Sequence, residues 1–200
     1  MTSNCYVVYD NVTRRCIAID PGSKESSKEI EFIERNHLIL DFIIITHEHT
    51  DHNWGVNALN DYFKNAKLIC SDLCQKNVKK ANSAYFLFYY DDTNYVYEIK
   101  NADIIIDQNH NDIRWGEKII SFILSPGHSA GSMCVLIGEV LFTGDAIMPY
   151  KPYFNGRDSC EIEWRHSIEL ITHMVPGSTV VYPGHGDKLR LEEWNNQSFE

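Results

Sequence analysis

No run of eighteen apolar residues occurs in the chain, so the sequence offers no membrane-spanning helix. Basic residues are scarce: 18 Lys and Arg stand against 28 Asp and Glu, a net charge of −10. Such a surface repels nucleic acid and anionic lipid, and neither is expected as a partner. The opening MTSNCYVVYD lacks the basic flank and apolar core of a secretory signal, which predicts a cytoplasmic protein. A CxxC pair is missing too. Cys5, Cys16, Cys70, Cys74, Cys134 and Cys160 are dispersed in or beside apolar stretches, as buried thiols of a reducing compartment are.

What is present suits one folded unit. With 200 residues and 44% apolar content the chain can build one sizeable core, while two independent domains would be cramped. The expectation is a single domain over residues 1–200. Strand-like runs fall at 5–10, 15–20, 40–46, 67–71, 103–107, 112–115, 118–124, 132–138, 139–144 and 179–184. The run 40–46 is apolar enough for a strand buried on both faces. Helices are predicted over 26–37, 56–63, 72–90, 160–174 and 189–195, with the aromatic cluster YFLFYY at 85–90 facing something apolar. Strands come in two groups, each followed by helix, with no linker or repeat between them. The class is mixed α/β.

The chemistry concentrates at 46–53, THEHTDHN, directly after LDFIII. Alternate residues of an extended segment point the same way, so His47 and His49 can grip one cation. Asp51 and His52, where the chain turns, can face a second, with a helix beginning around Trp54. Three more ligand-type residues each follow a glycine that ends an apolar strand: His128 in SPGHS, Asp145 in LFTGD and His185 in VYPGH. Glycine lets the backbone turn sharply there and approach a crowded centre. His37, His110, His166 and His173 have no such context and read as surface residues.

In this order, THEHTDH, SPGHS, FTGD and PGHG resemble the motifs of the metallo-β-lactamase superfamily, and Asp20 in IAIDPG matches the aspartate that opens that series. The resemblance runs from about Tyr6 to the end. It implies an α/β fold, the αββα four-layer sandwich, with a metal centre at one edge of two facing sheets. It further implies His47, His49 and His128 on a first metal, Asp51, His52 and His185 on a second, and Asp145 bridging them. Asp20 would then hydrogen-bond towards a ligand and fix its orientation.

Imidazole and carboxylate ligands without cysteine suit two divalent metal ions, zinc foremost, with iron or manganese also accommodated. Two such ions about 3.5–4 Å apart share a water and lower its pKa, which makes it a nucleophile towards a carbonyl or phosphoryl centre. Asp51 is the catalytic candidate, ligating and orienting that water; no Ser/His/Asp triad is needed. Within the family, FTGD points away from the true β-lactamases. Gly156-Arg157 and the closing PGHGDKLRLEEWNNQSF are similar to the short glyoxalase II-like hydrolases, and the helical domain that holds glutathione in the authentic enzyme is not matched. The expected substrate is therefore a small molecule, a thioester or related acyl compound. The alternatives are a mononuclear iron persulfide dioxygenase, a lactonase or phosphodiesterase on the same fold, and a non-enzymatic binding module. Tyr150, Tyr153 and Phe154 could wall a pocket, and Lys151 or Arg157 could hold an anionic group, although loop packing and solvated charge account for them better.

Overall fold

The computed structural model describes residues 3–90, 97–108, 111–154 and 158–194, with the side chains of 85–90 excepted. The aromatic cluster at 85–90, the Gly156-Arg157 pair, His110 and the tail from 195 therefore lie outside the described side chains. The chain divides into two compact units, Met1–Ile105 and Ile106–Glu200.

The first unit carries a five-stranded sheet, whose last strand ends one residue past the division, in the order β1 (Tyr6–Tyr9), β2 (Arg15–Ile19), β3 (Ile39–Ile44), β4 (Lys67–Ser71), β5 (Ile104–Ile106). β1 and β2 form an antiparallel hairpin, and β2, β3 and β4 run parallel. The parallel crossovers are helical: α1 (Ser27–Arg35) joins β2 to β3, and α2 (Thr50–Asn53) and α3 (Val56–Tyr62) join β3 to β4. α1 is amphipathic as its Ile30, Phe32 and Ile33 predict, with Ile33 fully buried among Ala18, Leu40 and Ile43. Apolar residues of β3 fill that core, which is why this strand reads as nearly uniform in sequence. Its one acid, Asp41, is buried and accepts from the Nε of Arg15 on β2 at 2.7 Å. α4 (Asp72–Tyr90) follows β4.

The second unit carries a six-stranded sheet in the order β11 (Leu189–Arg190), β10 (Val180–Pro183), β9 (Val140–Gly144), β8 (Met133–Ile137), β7 (Lys118–Leu124), β6 (Asp112–Trp115). β6 to β9 pair antiparallel in succession, whereas β10 lies parallel to β9. α5 (Glu161–Met174) makes the crossover between β9 and β10 and buries Trp164, Ile168 and Ile171 against Ile123, Leu141 and Val181.

Two elements depart from the sequence reading by more than a residue or two at their ends. Helix begins at Thr50, not near Trp54, so Asp51 and His52 sit on a helical turn. His49, extended at φ −67° and ψ 141°, occupies the N-cap position without a side-chain capping bond, and an acid stands in the first turn. The predicted helix at 189–195 is instead β11, paired as Val181 with Leu189, and a 3₁₀ turn over Leu191–Glu193. There, strand pairing and burial of Leu191 outweigh helix propensity. All six cysteines are free thiols. Burial pushes Cys134 up to about 12, and burial followed by the charge of Asp41 does the same for Cys16. No helix among the described residues is long and apolar enough to cross a membrane.

Candidate metal centre

Parallel strands deliver their C-terminal ends to one edge of a sheet. In the first unit this places Asp20, just beyond β2, beside Thr46 and His47, just beyond β3. Asp20 is buried at a left-handed φ of 53°. Its Oδ1 accepts from the Thr46 amide at 2.8 Å and its Oδ2 from the Thr46 hydroxyl at 2.7 Å. The same Oδ2 lies 2.9 Å from His52 Nδ1. Because the Thr46 hydroxyl gives its proton to Asp20, its oxygen is left to accept from His47 Nδ1, 3.1 Å away. One carboxylate thereby fixes two imidazoles with their Nε2 lone pairs directed away from it.

The rings gather closely. His47 and His52 have centroids 4.1 Å apart, and His47 and His49 4.7 Å. His47 Nε2 lies 3.0 Å from His49 Nδ1, and His52 Nε2 3.8 Å from Asp51 Oδ2. His47 and His52 are buried, while His49 and Asp51 are half-buried. The turn is packed from outside by Gly22, where a Cβ would stand 1.7 Å from the Asp51 carbonyl oxygen.

In the second unit β7, β9 and β10 share one direction, so His128, Asp145 and His185 emerge at a common edge of their sheet. Gly127 and Gly144 take positive φ, 136° and 50°. At the third strand end the positive φ belongs not to Gly184 but to Gly186, at 84°. Gly127 is needed twice over, since a Cβ there would meet the Trp164 backbone at 2.3 Å. His128 Nε2 lies 3.4 Å from Asp145 Oδ2, and His185 Nε2 lies 3.7 Å from that same oxygen. The stretch GHSAG at 127–131 has the letter spacing of a serine-nucleophile elbow, but such elbows join strand to helix. This one joins two antiparallel strands, and the buried Ser129 hydroxyl lies 2.9 Å from that of Ser132.

The donor set fits divalent cations. Two ligands each about 2.0–2.1 Å from one tetrahedral zinc ion stand about 3.3 Å apart. The four separations above, 3.0 to 3.8 Å, bracket that value. Nitrogen and oxygen donors without sulfur are the set expected for zinc, iron or manganese.

The sequence model of the metallo-β-lactamase superfamily matches residues 1–188. The chain belongs to this superfamily. It is 32% identical over 208 residues to the probable polyketide biosynthesis zinc-dependent hydrolase BaeB of Bacillus velezensis, covering 100% of this chain and 83% of that protein. It is 44% identical to hydroxyacylglutathione hydrolase 1 of Vibrio vulnificus over 63 residues, 32% of this chain and 24% of that protein. Among solved structures, the BLEG-1 B3 metallo-β-lactamase superposes with a TM-score of 0.85 at 24% identity, over 96% of this chain and 90% of that one. That likeness shows the metallo-β-lactamase fold, and membership places the chain among metal-dependent hydrolases.

Around the site, Phe154 packs against Trp164 with centroids 5.2 Å apart, and Lys151 pairs with Glu161 at 2.9 Å. Both are loop packing. Tyr153 is exposed, and half-exposed Tyr150 overlies Gly186 beside His185. Partial burial first, and the charge of Asp145 second, push the Tyr150 phenol above its usual range. Sequence reasoning missed Thr46, whose signal is a hydroxyl residue directly before the first histidine.

Asp20→Asn tests the orienting carboxylate. It keeps the shape but turns an amide donor towards the Thr46 hydroxyl and His52 Nδ1, favouring the wrong tautomer of His52. Zinc affinity, read by competition with a chromophoric chelator, is expected to fall about 10–100-fold. Unchanged affinity would remove Asp20 from the site.

Proposed function

We propose that the chain is a dinuclear metal hydrolase that cleaves a thioester or related small acyl compound, with residues 1–200 acting as one catalytic domain. His47, His49 and His128 would hold one divalent cation, Asp51, His52 and His185 the other, and Asp145 would bridge them. The observation that carries this reading is the single Asp145 oxygen near both His128 and His185, at 3.4 and 3.7 Å. One oxygen between imidazoles assigned to different ions suits a bridging ligand. When bound, two such cations lower the pKa of a shared water and polarise the acyl oxygen.

The protein's own groups do the rest. Asp20 and Thr46 hold the His47 and His52 rings, and Asp51, half-buried at the mouth of its turn, orients the attacking water. Tyr150 lines the approach of the acyl group. The relatives' names, a zinc-dependent hydrolase and a hydroxyacylglutathione hydrolase, support zinc and an acyl substrate. Six free thiols, four of them buried, support a reducing, cytoplasmic setting.

Elemental analysis of the purified protein, paired with thioester, lactone, phosphodiester and persulfide substrates, tests the reading. About two metal ions per chain and thioester turnover are expected. Full activity after metal stripping would defeat the mechanism. Turnover of phosphodiesters alone would overturn the substrate class, and oxygen uptake with a persulfide would replace hydrolysis with oxidation.

A further inference from the structure

The inward stripe of α4 runs Cys74, Val78, Asn82, spaced four residues apart, and all three are buried. An amide at the third place of an apolar stripe is unfavourable unless both its ends are hydrogen-bonded. Here they are. The Thr50 hydroxyl donates to Asn82 Oδ1 at 2.7 Å, and Asn82 Nδ2 donates to the Tyr97 carbonyl at 3.5 Å. The Tyr97 hydroxyl in turn donates to the Asn53 carbonyl at 2.7 Å. Asn53 closes the circuit, its Nδ2 donating to the carbonyls of Glu48 and His49 at 2.9 and 2.8 Å.

These bonds grip α2 at both ends, Thr50 being its first residue and Asn53 its last. A helix of one turn cannot hold its own shape, because nucleation fixes several dihedrals for a single internal bond. The backbone bonds at the two ends of this turn include His52 N to His49 O at 3.0 Å and Trp54 N to Thr50 O at 2.9 Å. Asp20 holds the His52 ring and Ser3 the Asp51 carbonyl, and the ends of the turn between which Asp51 and His52 lie are held from α4 and Tyr97.

We infer that Asn82 and Tyr97 are positioning residues for the metal site, acting through Thr50 and Asn53 to aim Asp51 and His52. This rests on the proposed role of Asp51 and His52 as ligands. The bonds of this circuit end on Thr50 and on backbone carbonyls, so the influence of Asn82 and Tyr97 is exerted on the backbone that carries Asp51 and His52.

The variants Tyr97→Phe and Thr50→Val each remove one oxygen from the circuit at nearly constant volume, and Asn82→Ala removes its hub. Ile171→Val, a core change on α5, serves as a stability control. Zinc affinity is read with a chromophoric chelator, alongside melting temperature of the metal-free protein and separate kcat and KM for a thioester. Tyr97→Phe and Thr50→Val are expected to weaken the weaker zinc site about tenfold and to lower kcat with little change in KM. Ile171→Val lowers the melting temperature alone. Combining Thr50→Val with Asn82→Ala should cost no more than the larger single change, because both break the same bond. Wild-type zinc affinity in Tyr97→Phe and Thr50→Val would overturn the inference and leave the hydrolase reading standing. A wild-type protein that takes up no zinc would bring down both.

Discussion

Asp145→Ala is expected to lower kcat/KM for a thioester by about 10³-fold, the scale on which loss of one fixed charge-stabilising group is felt. It should also leave fewer than two metal ions per chain. The reason is the shared oxygen: His128 and His185 both lose a carboxylate neighbour in a single substitution. The fold should persist. Asp145 lies beyond β9, whose end is held by other bonds: Gly184 N donates to Gly144 O at 2.7 Å, and the Thr143 hydroxyl donates to Ile147 O at 2.8 Å. A circular dichroism spectrum like the parent's, together with lost turnover and lost metal, is the expected pattern. Retained turnover with a full metal complement would show that Asp145 bridges nothing.

Gly22→Ala is expected to produce the largest loss of stability. The added methyl would sit 1.7 Å from the Asp51 carbonyl oxygen, a backbone atom that also accepts from the Ser3 hydroxyl at 2.7 Å. Relief requires one of the two backbones to move, and on the Asp51 side that backbone is the turn that carries Asp51 and His52. Overpacking of this severity should cost about 3 kcal/mol and lower the melting temperature of a chain this size by about 10 °C. Scanning calorimetry of the metal-free protein checks it. A shift below about 2 °C, well under what such a cost requires, would mean the turn is free to relax, and zinc affinity should then be unaffected as well.

Much of this was legible in the sequence, for a physical reason. His47, His128, Asp145 and His185 each follow an apolar strand, and an apolar run ended by a turn former reads clearly in one dimension. The strand runs at 67–71, 112–115 and 118–124 coincide with β4, β6 and β7. α2 was less visible because so short a helix contains too little periodicity to announce itself, and its cap is a histidine. The C-terminal stretch misled because LRLEEW has good helix formers, although Lys188, Leu189, Arg190 and Leu191 alternate in polarity as β11 does. Asn82, Tyr97 and Gly22 could not be read at all. Their importance comes from what they meet far along the chain, at Thr50, Asn53 and Asp51, and nothing local marks such a partner.

The left-handed backbone at Asp20 narrows what evolution or a designer could place there. Asparagine and glycine occupy that region readily, most other side chains incur strain, and a β-branched residue is nearly barred. Glutamate would keep the charge but would have to hold the same twisted conformation with a longer arm. Aspartate alone combines the tolerated twist with two short-reach acceptor oxygens, so conformation and chemistry select the same residue independently.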